Sequence, residues 1–369
     1  MRRSHASFGS GRLGLTVAAL LTAALPALAQ VTPAASYTPP DDTPSIKVGA
    51  TIFADYTYQV EPEISDADGN VVNFNGFNVT RTYINVTGNI SHLLGFRITP
   101  DIVRESGTGS SLSGSLTFRL KYGYAQLNLD DWMAKGSWVR FGIQQTPWVD
   151  FEEGVYRYRF QGTIFADREG YLSSSDAGAS FRTAFPGNYG DVHVGIYNGE
   201  TYARPEANDQ KAIQIRGTVR PLPAAPAMRG LRLTAFYDAD SYVRNGDRKR
   251  FIAAATFEHK YANAAIQYLD TNDRTSITRA AVHGTGYSAW VTPKFSHGFE
   301  GLVRYDDLQP NDDVDAERRR TIAGLAYWLP RQGNVSSAVL LDYEQVNNRG
   351  FDPAVPEQKR VALHALVNF

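Results

Sequence analysis

The residues of this chain that could do chemistry are charged side chains set two apart. Arg119 and Lys121 alternate with Phe118 and Leu120, Gln214 and Arg216 with Ile213 and Ile215, and Arg157 and Arg159 flank Tyr158. A spacing of two places both members on one side of an extended chain. Rings of arginine and lysine around a water-filled passage draw anions. Bond-making chemistry has less to work with. His92, His193, His259, His283, His297 and His364 are scattered, and no Gly-x-Ser-x-Gly, His-Glu-x-x-His or phosphate-binding loop is present. With no cysteine there is no thiolate to act as nucleophile or metal ligand. The pattern implies selection of solutes by charge, with no cofactor.

The basic positions expected to face inward or the rim are Arg97, Arg119, Lys121, Arg140, Arg182, Arg216, Arg220, Arg232, Arg250, Arg304, Arg320 and Arg360. Acids on the same faces are fewer: Asp101, Asp176, Asp238, Glu258, Glu300, Asp306, Asp342 and Glu344. One alternative is a ladder of arginine–carboxylate pairs that only stiffens the wall. A second charged group lies in the stretch 148–175, where Trp148, Phe151, Tyr156, Tyr158, Phe160, Phe165 and Tyr171 interleave with charges. Long connections in compact domains are functional or disordered, and this aromatic content argues for a packed loop. Arg157, Arg159 and Arg168 stand against Glu152, Glu153, Asp167 and Glu169, so its charge is close to balanced. Glu152 and Glu153 are placed to neutralise Arg157 and Arg159. Those two arginines are expected on one side, sharing a passage with Arg119, Lys121 and Arg140.

The elements that position these residues read as strands. Period-2 alternation runs through 46–59, 77–90, 94–104, 115–129, 137–147, 174–185, 191–198 and 211–220, then 231–242, 248–259, 263–271, 278–291, 299–308, 318–329, 335–346 and 358–369. That is about sixteen segments, each near or above the roughly 9 to 11 residues a tilted strand needs to cross a bilayer. Leu116, Phe118, Leu120, Tyr122 and Tyr124 share one expected face. A charge facing lipid near the midplane costs about 2 to 4 kcal/mol, so the charged face must point inward. Sixteen strands leave an aqueous channel, whereas a small soluble barrel fills its interior with apolar side chains. In the second strand the apolar phase shifts between Val79 and Ile84, which implies either a bulge near 80–83 or a different strand boundary. Odd-numbered connections read as long and polar, even-numbered ones mostly as tight turns, with the longer 221–230 as the exception. This is the asymmetry of an outer-membrane barrel with both termini at the short-turn end. The stretch 148–173 becomes the third long loop, folded inward.

Arg2, Arg3 and Arg12, an apolar run over 13–25 and Ala27-Leu28-Ala29 form a secretory signal peptide over 1–29. Its apolar run is too short to span a membrane. Residues 30–45 are Pro/Ala/Thr-rich and read as a disordered lead-in to a barrel domain over 46–369. Removing three arginines and no acids takes the formal charge from −1 to about −4, against a nucleic-acid partner. A soluble sugar-binding β-protein and an outer-membrane enzyme are the rival classes. Phe369 closing an alternating strand resembles the signal read by outer-membrane assembly machinery.

Several stretches resemble the phosphate-selective porin family (O and P type) of Gram-negative outer membranes. They are residues 81–88 (RTYINVTG), 96–101 (FRITPD), 124–127 (YAQL), 139–147 (VRFGIQQTP), 174–178 (SSDAG) and 195–200 (GIYNGE). The resemblance implies a sixteen-strand all-β transmembrane porin in outer-membrane lipid, usually a homotrimer, with its third loop in the lumen. Solutes would be small anions or polar molecules, with phosphate among the candidates. A general unselective porin and a barrel sealed by that loop are the alternatives.

Overall fold

The computed structural model describes residues 38–369, apart from 106, 108 and 332–334. The expected signal peptide lies outside the described residues. Sixteen strands form one closed antiparallel barrel. They are β1 (Ser45–Glu61), β2 (Asn75–Asn89), β3 (Leu94–Arg104), β4 (Leu116–Asn128), β5 (Trp138–Gln145), β6 (Ser175–Ala184), β7 (Gly190–Tyr197) and β8 (Ala212–Val219). The second half comprises β9 (Leu231–Val243), β10 (Gly246–Glu258), β11 (Ala262–Asp273), β12 (Val282–Pro293), β13 (Phe299–Gln309), β14 (Glu317–Trp328), β15 (Ser336–Arg349) and β16 (Gln358–Asn368). Closure is first to last, as the alternation implied. Thr51 pairs with Asn368, and Phe369 exchanges two backbone hydrogen bonds of 2.9 and 3.0 Å with Ala50. A closed barrel leaves no strand edge unpaired, which lipid would not tolerate.

The period-2 pattern sorts the side chains. On β8, Ile213, Ile215 and Val219 are exposed while Gln214, Arg216 and Thr218 are buried; on β16, Val361, Leu363 and Val367 are exposed while His364 is buried. Two bulges within the first four strands change which residues face inward. Phe53 pairs with Arg81 and Ala54 with Val79, leaving Thr80 unpaired at the expected place. Thr99 pairs with Tyr122 and Pro100 with Leu120, so Lys121 is the extra residue of a second bulge. Proline cannot donate to a ladder and fits opposite such an irregularity. One inserted residue moves all that follow to the other face. Tyr122 is therefore buried on the inner face, correcting the expectation that Tyr122 and Tyr124 lie with Phe118.

The connections also depart from strict alternation. The ninth, expected to be long, is the two-residue turn 244–245, where Asn245 adopts φ 64° and lets Val243 pair with Gly246. The fourth spans 129–137, longer than its neighbours at the same end.

Within the lead-in, residues 38–44 are described, and Asp42 reaches the turn after β2. Its Oδ1 accepts the His92 backbone N–H at 3.1 Å and lies 2.5 Å from Nδ1, while Asp131 Oδ2 lies 3.0 Å from Nε2. Only an imidazolium donates from both ring nitrogens. The Asp42 carboxylate accordingly holds His92 above the ordinary histidine value, and His92 holds Asp42 below the ordinary carboxylate value. A raised histidine pKa gives a contact complete below about pH 6.5 and lost as pH rises through the shifted value. Limited proteolysis within 38–44 is expected to accelerate on going from mildly acidic to alkaline pH, and His92→Asn to abolish that dependence. A second expectation concerns closure. Deleting Phe369 removes two hydrogen bonds worth roughly 0.5–1.5 kcal/mol each, and should lower the temperature at which the folded band disappears on semi-native gels.

Candidate functional site: the inner wall and the third long connection

Between β5 and β6, residues 146–174 form two helices, α1 (Pro147–Val155) and α2 (Phe165–Arg168). Thr146 is extended and Pro147 occupies the first turn, where its missing N–H costs nothing. The helix ends at Tyr156, whose N–H bonds the Glu152 carbonyl at 2.8 Å. Trp148, Val149, Phe151 and Val155 are buried. Aromatic contacts continue from the segment to the barrel: Trp148 to Phe236 at 6.0 Å, Tyr156 to Trp290 at 5.2 Å, Phe160 to Trp328 at 6.0 Å and Phe160 to Phe53 at 6.5 Å between ring centroids.

Ion pairs tie the same segment to inner-face positions of β13 to β15. Arg157 donates to Glu300 at 2.5 and 2.8 Å, and Tyr158 to the same carboxylate at 3.0 Å. Gln161 reaches Asp342 and Glu344 at 2.8 and 2.9 Å. Glu344 also receives Arg168 at 3.0 Å, Arg320 at 2.5 Å and Arg360 at 2.7 Å. Glu169 takes Arg318 and Arg320 at 2.7 and 2.9 Å. Gly162 admits the Arg168 guanidinium, which any Cβ there would meet at 2.8 Å.

The segment's charges therefore divide differently from expectation. Arg157 and Arg159 do not share a side, because the chain turns after Tyr158, whose carbonyl accepts the Gln161 N–H at 2.9 Å. Arg159 pairs with Glu153. Glu152 neutralises neither arginine: it is buried and accepts from Gln267 of β11 at 2.8 Å.

The opposite wall is dressed differently. Arg97 bonds Thr99 and Asn85, both at 2.9 Å, and lies 4.4 Å from the Tyr122 ring centroid. Arg140 bonds Gln126 at 2.8 Å and Gln145 at 3.2 Å and stacks 3.8 Å from the Trp138 ring. Among the described residues neither has a carboxylate partner. Arg119 and Arg81 share Asp101 at 3.1 and 2.7 Å, and Tyr202 of the fourth long loop covers Arg119 at 4.8 Å. Lys121, at the bulge, is buried against Tyr83, Nζ to hydroxyl 3.3 Å. Arg182 and Arg216 close on Asp191 at 2.8 and 2.6 Å.

Exposure varies around the wall. The side chains of Arg81 and Arg119 are 26% and 32% exposed and those of Arg318 and Arg360 30% and 31%, whereas Arg216 and Arg304 are 3% and 1% exposed. Water thus meets cations on β2 and β4, while their shared carboxylate, Asp101, is fully buried. Sequence reading missed Asp101 as a shared partner, Tyr202 as a cover and Gln161 as a tether; alternation reports a residue's face, never its partner across a barrel.

No family model and no curated protein matches this chain. Solved structures do. Outer-membrane-expressed OmpT of Vibrio cholerae is 13% identical with a TM-score of 0.59, over 89% of this chain and 99% of that one. OmpF of Salmonella typhi, solved with daunomycin, is 12% identical with a TM-score of 0.57, over 87% and 97%. OprB of Pseudomonas putida is 10% identical with a TM-score of 0.55, over 88% and 94%. At these identities the likeness is one of fold: this chain has the architecture of these outer-membrane barrels.

Glu344 gathers three guanidinium groups, so Glu344→Gln leaves them facing one another. Breaking a buried ion pair from one side costs about 3–5 kcal/mol. The variant is expected to unfold at lower temperature and to expose residues 157–162 to added protease, while Glu317→Gln, at the outer rim, leaves both readouts unchanged.

Proposed function

We propose that this chain is an outer-membrane porin of a Gram-negative bacterium: a water-filled channel for small solutes with a modest preference for anions. The segment 146–174 is its constriction, folded into the lumen and leaning on β13 to β15, so the water path runs along β2 to β5. The observation that carries this reading is that Arg97 and Arg140, both half-buried on that side, have no carboxylate partner among the described residues. Arg81 and Arg119, 26% and 32% exposed, add two cations over one buried carboxylate, Asp101. Field lines concentrated in a narrow, low-dielectric passage raise the local concentration of counter-ions. These arginines hold amide, hydroxyl and aromatic partners along the wall and do not converge on one point. That favours general anion passage over a dedicated phosphate site. The three-copy assembly and use of the C-terminal strand in membrane assembly belong to the same reading.

A second reading, a barrel sealed by its own loop, draws on the inner apolar cluster. Phe236, Ile252, Leu269, Leu302, Ile322 and Leu340 are buried together with the loop aromatics. Conductance separates the two. In planar bilayers under a salt gradient the protein is expected to give discrete channels with an anion-selective reversal potential. Replacing Arg97, Arg119 and Arg140 together by Gln should move that potential toward cation preference. The shift should be larger at low salt, where screening over about 10 Å at 0.1 M is relaxed. An unchanged potential at low salt would reduce these residues to wall structure, and absence of conductance would favour the sealed barrel.

A further inference from the structure

The outer face is uneven. Across β10 to β12, Ala255, Ala264 and Ala289 occupy positions where neighbouring strands carry larger side chains, and they floor a groove of about 450 Å³ walled by Leu231, Phe257 and Val303. Water has almost no polar partner there, and an empty groove would forfeit dispersion contacts along its length. Its lower end, at Leu231 and Phe257, meets the short-turn rim. The rim is aromatic: His259 stacks on Phe257 at 5.7 Å and lies 5.2 Å from the Tyr261 ring, as at the headgroup boundary of a bilayer. Arg229 and Lys260 stand at the same rim. Arg229 precedes Gly230, whose carbonyl accepts the Glu258 N–H at 3.2 Å, and Lys260 Nζ lies 4.7 Å from the Tyr261 ring. Both are exposed, and among the described residues neither has a carboxylate partner, whereas nearby Arg232 is taken by Glu258.

We propose that this groove is a binding site for one phospholipid of the periplasmic leaflet, with an acyl chain along the alanines and the headgroup phosphate between Arg229 and Lys260. The inference rests on the reading of the chain as a membrane-spanning barrel. Charge complementarity selects the occupant. An apolar slot whose rim end, at Leu231 and Phe257, is followed within a few residues by two exposed cations, Arg229 and Lys260, matches an amphiphile with one anionic end. A second copy of this chain would instead bring its own apolar wall, and would need roughly 1,000 Å² or more of matched surface to bind stably.

The test uses the full-length mature barrel, purified in mild detergent, stripped of lipid and titrated with phosphatidylglycerol under native mass spectrometry. One lipid per chain is expected to survive washing. Ala264→Phe with Ala289→Phe should abolish that retained lipid by filling the slot. Arg229→Glu with Lys260→Glu should weaken it at least about tenfold. Inorganic phosphate should not displace it, which separates a lipid site from a free-anion site. All variants alter outward or rim positions, so folded-band stability and channel conductance should stay at wild-type values. Equal lipid retention in wild type and both double variants overturns the proposal. So does a disulfide-linked dimer of Ala289→Cys in membranes, which this cysteine-free chain reports cleanly and which would put a second copy in the groove. If the wild-type protein inserts into vesicles and conducts yet retains no lipid, the site fails while the channel reading stands. If it does not insert, the channel reading itself fails.

Discussion

A bilayer offers no hydrogen-bond partner and almost no solvation for charge, and every other feature of this molecule follows from that. The backbone groups of sixteen strands must pair all the way around, so β1 meets β16 and the terminal Phe369 locks onto Ala50. Side chains alternate about each strand, so one face must be apolar and the other takes everything polar. The chain carries too many arginines and carboxylates to leave on its rims. They go inside, and what happens inside becomes an electrostatic problem.

That problem has two solutions within one barrel. Along β13 to β16 the charges neutralise one another and the loop: Glu344 gathers Arg168, Arg320 and Arg360, while Glu169 gathers Arg318 and Arg320. The carboxylates at the centre, Glu169 and Glu344, are buried, and pairing is the condition for burying them. Along β2 to β5, Arg81 and Arg119 share Asp101, while other arginines are held by amides, hydroxyls and aromatic rings. Arg97 on Tyr122 and Arg140 on Trp138 are examples. Amide and ring contacts hold a guanidinium in place without cancelling its charge. The same residue type thus sits in a carboxylate network on one wall and among amides and rings on the other.

The bulge at Lys121 is the hinge between those roles. Without it, Tyr122 would face lipid with Phe118, and Arg97 would lose the ring it rests on. One inserted residue, opposite a proline that could not have donated to the ladder, supplies the aromatic lining of the cationic wall.

Alternation alone determined a great deal. The strand count, the closing pair, a phase break near Thr80 and, Arg81 and Arg318 excepted, the inward arginines were legible because lipid enforces a strict period of two. That constraint is local: each residue need only know its neighbours. The bulge at Lys121 was not legible, because Tyr122 and Tyr124 are amphipathic and suit either face. The tight ninth connection was hidden because Asn245 adopts a left-handed turn inside a run of polar residues that reads as a loop. The stretch 146–174 announced itself by its aromatics, yet its pairings could not be read from the chain. Whether Glu152 would meet Arg157 or Gln267, and whether Arg159 would follow Arg157 or turn back to Glu153, depends on which wall lies opposite. Those partners are more than a hundred residues away for Arg157 and Glu152, brought near only by closure of the barrel. Charge sign and facing are properties of the strand, whereas charge pairing across a lumen is a property of the closed surface.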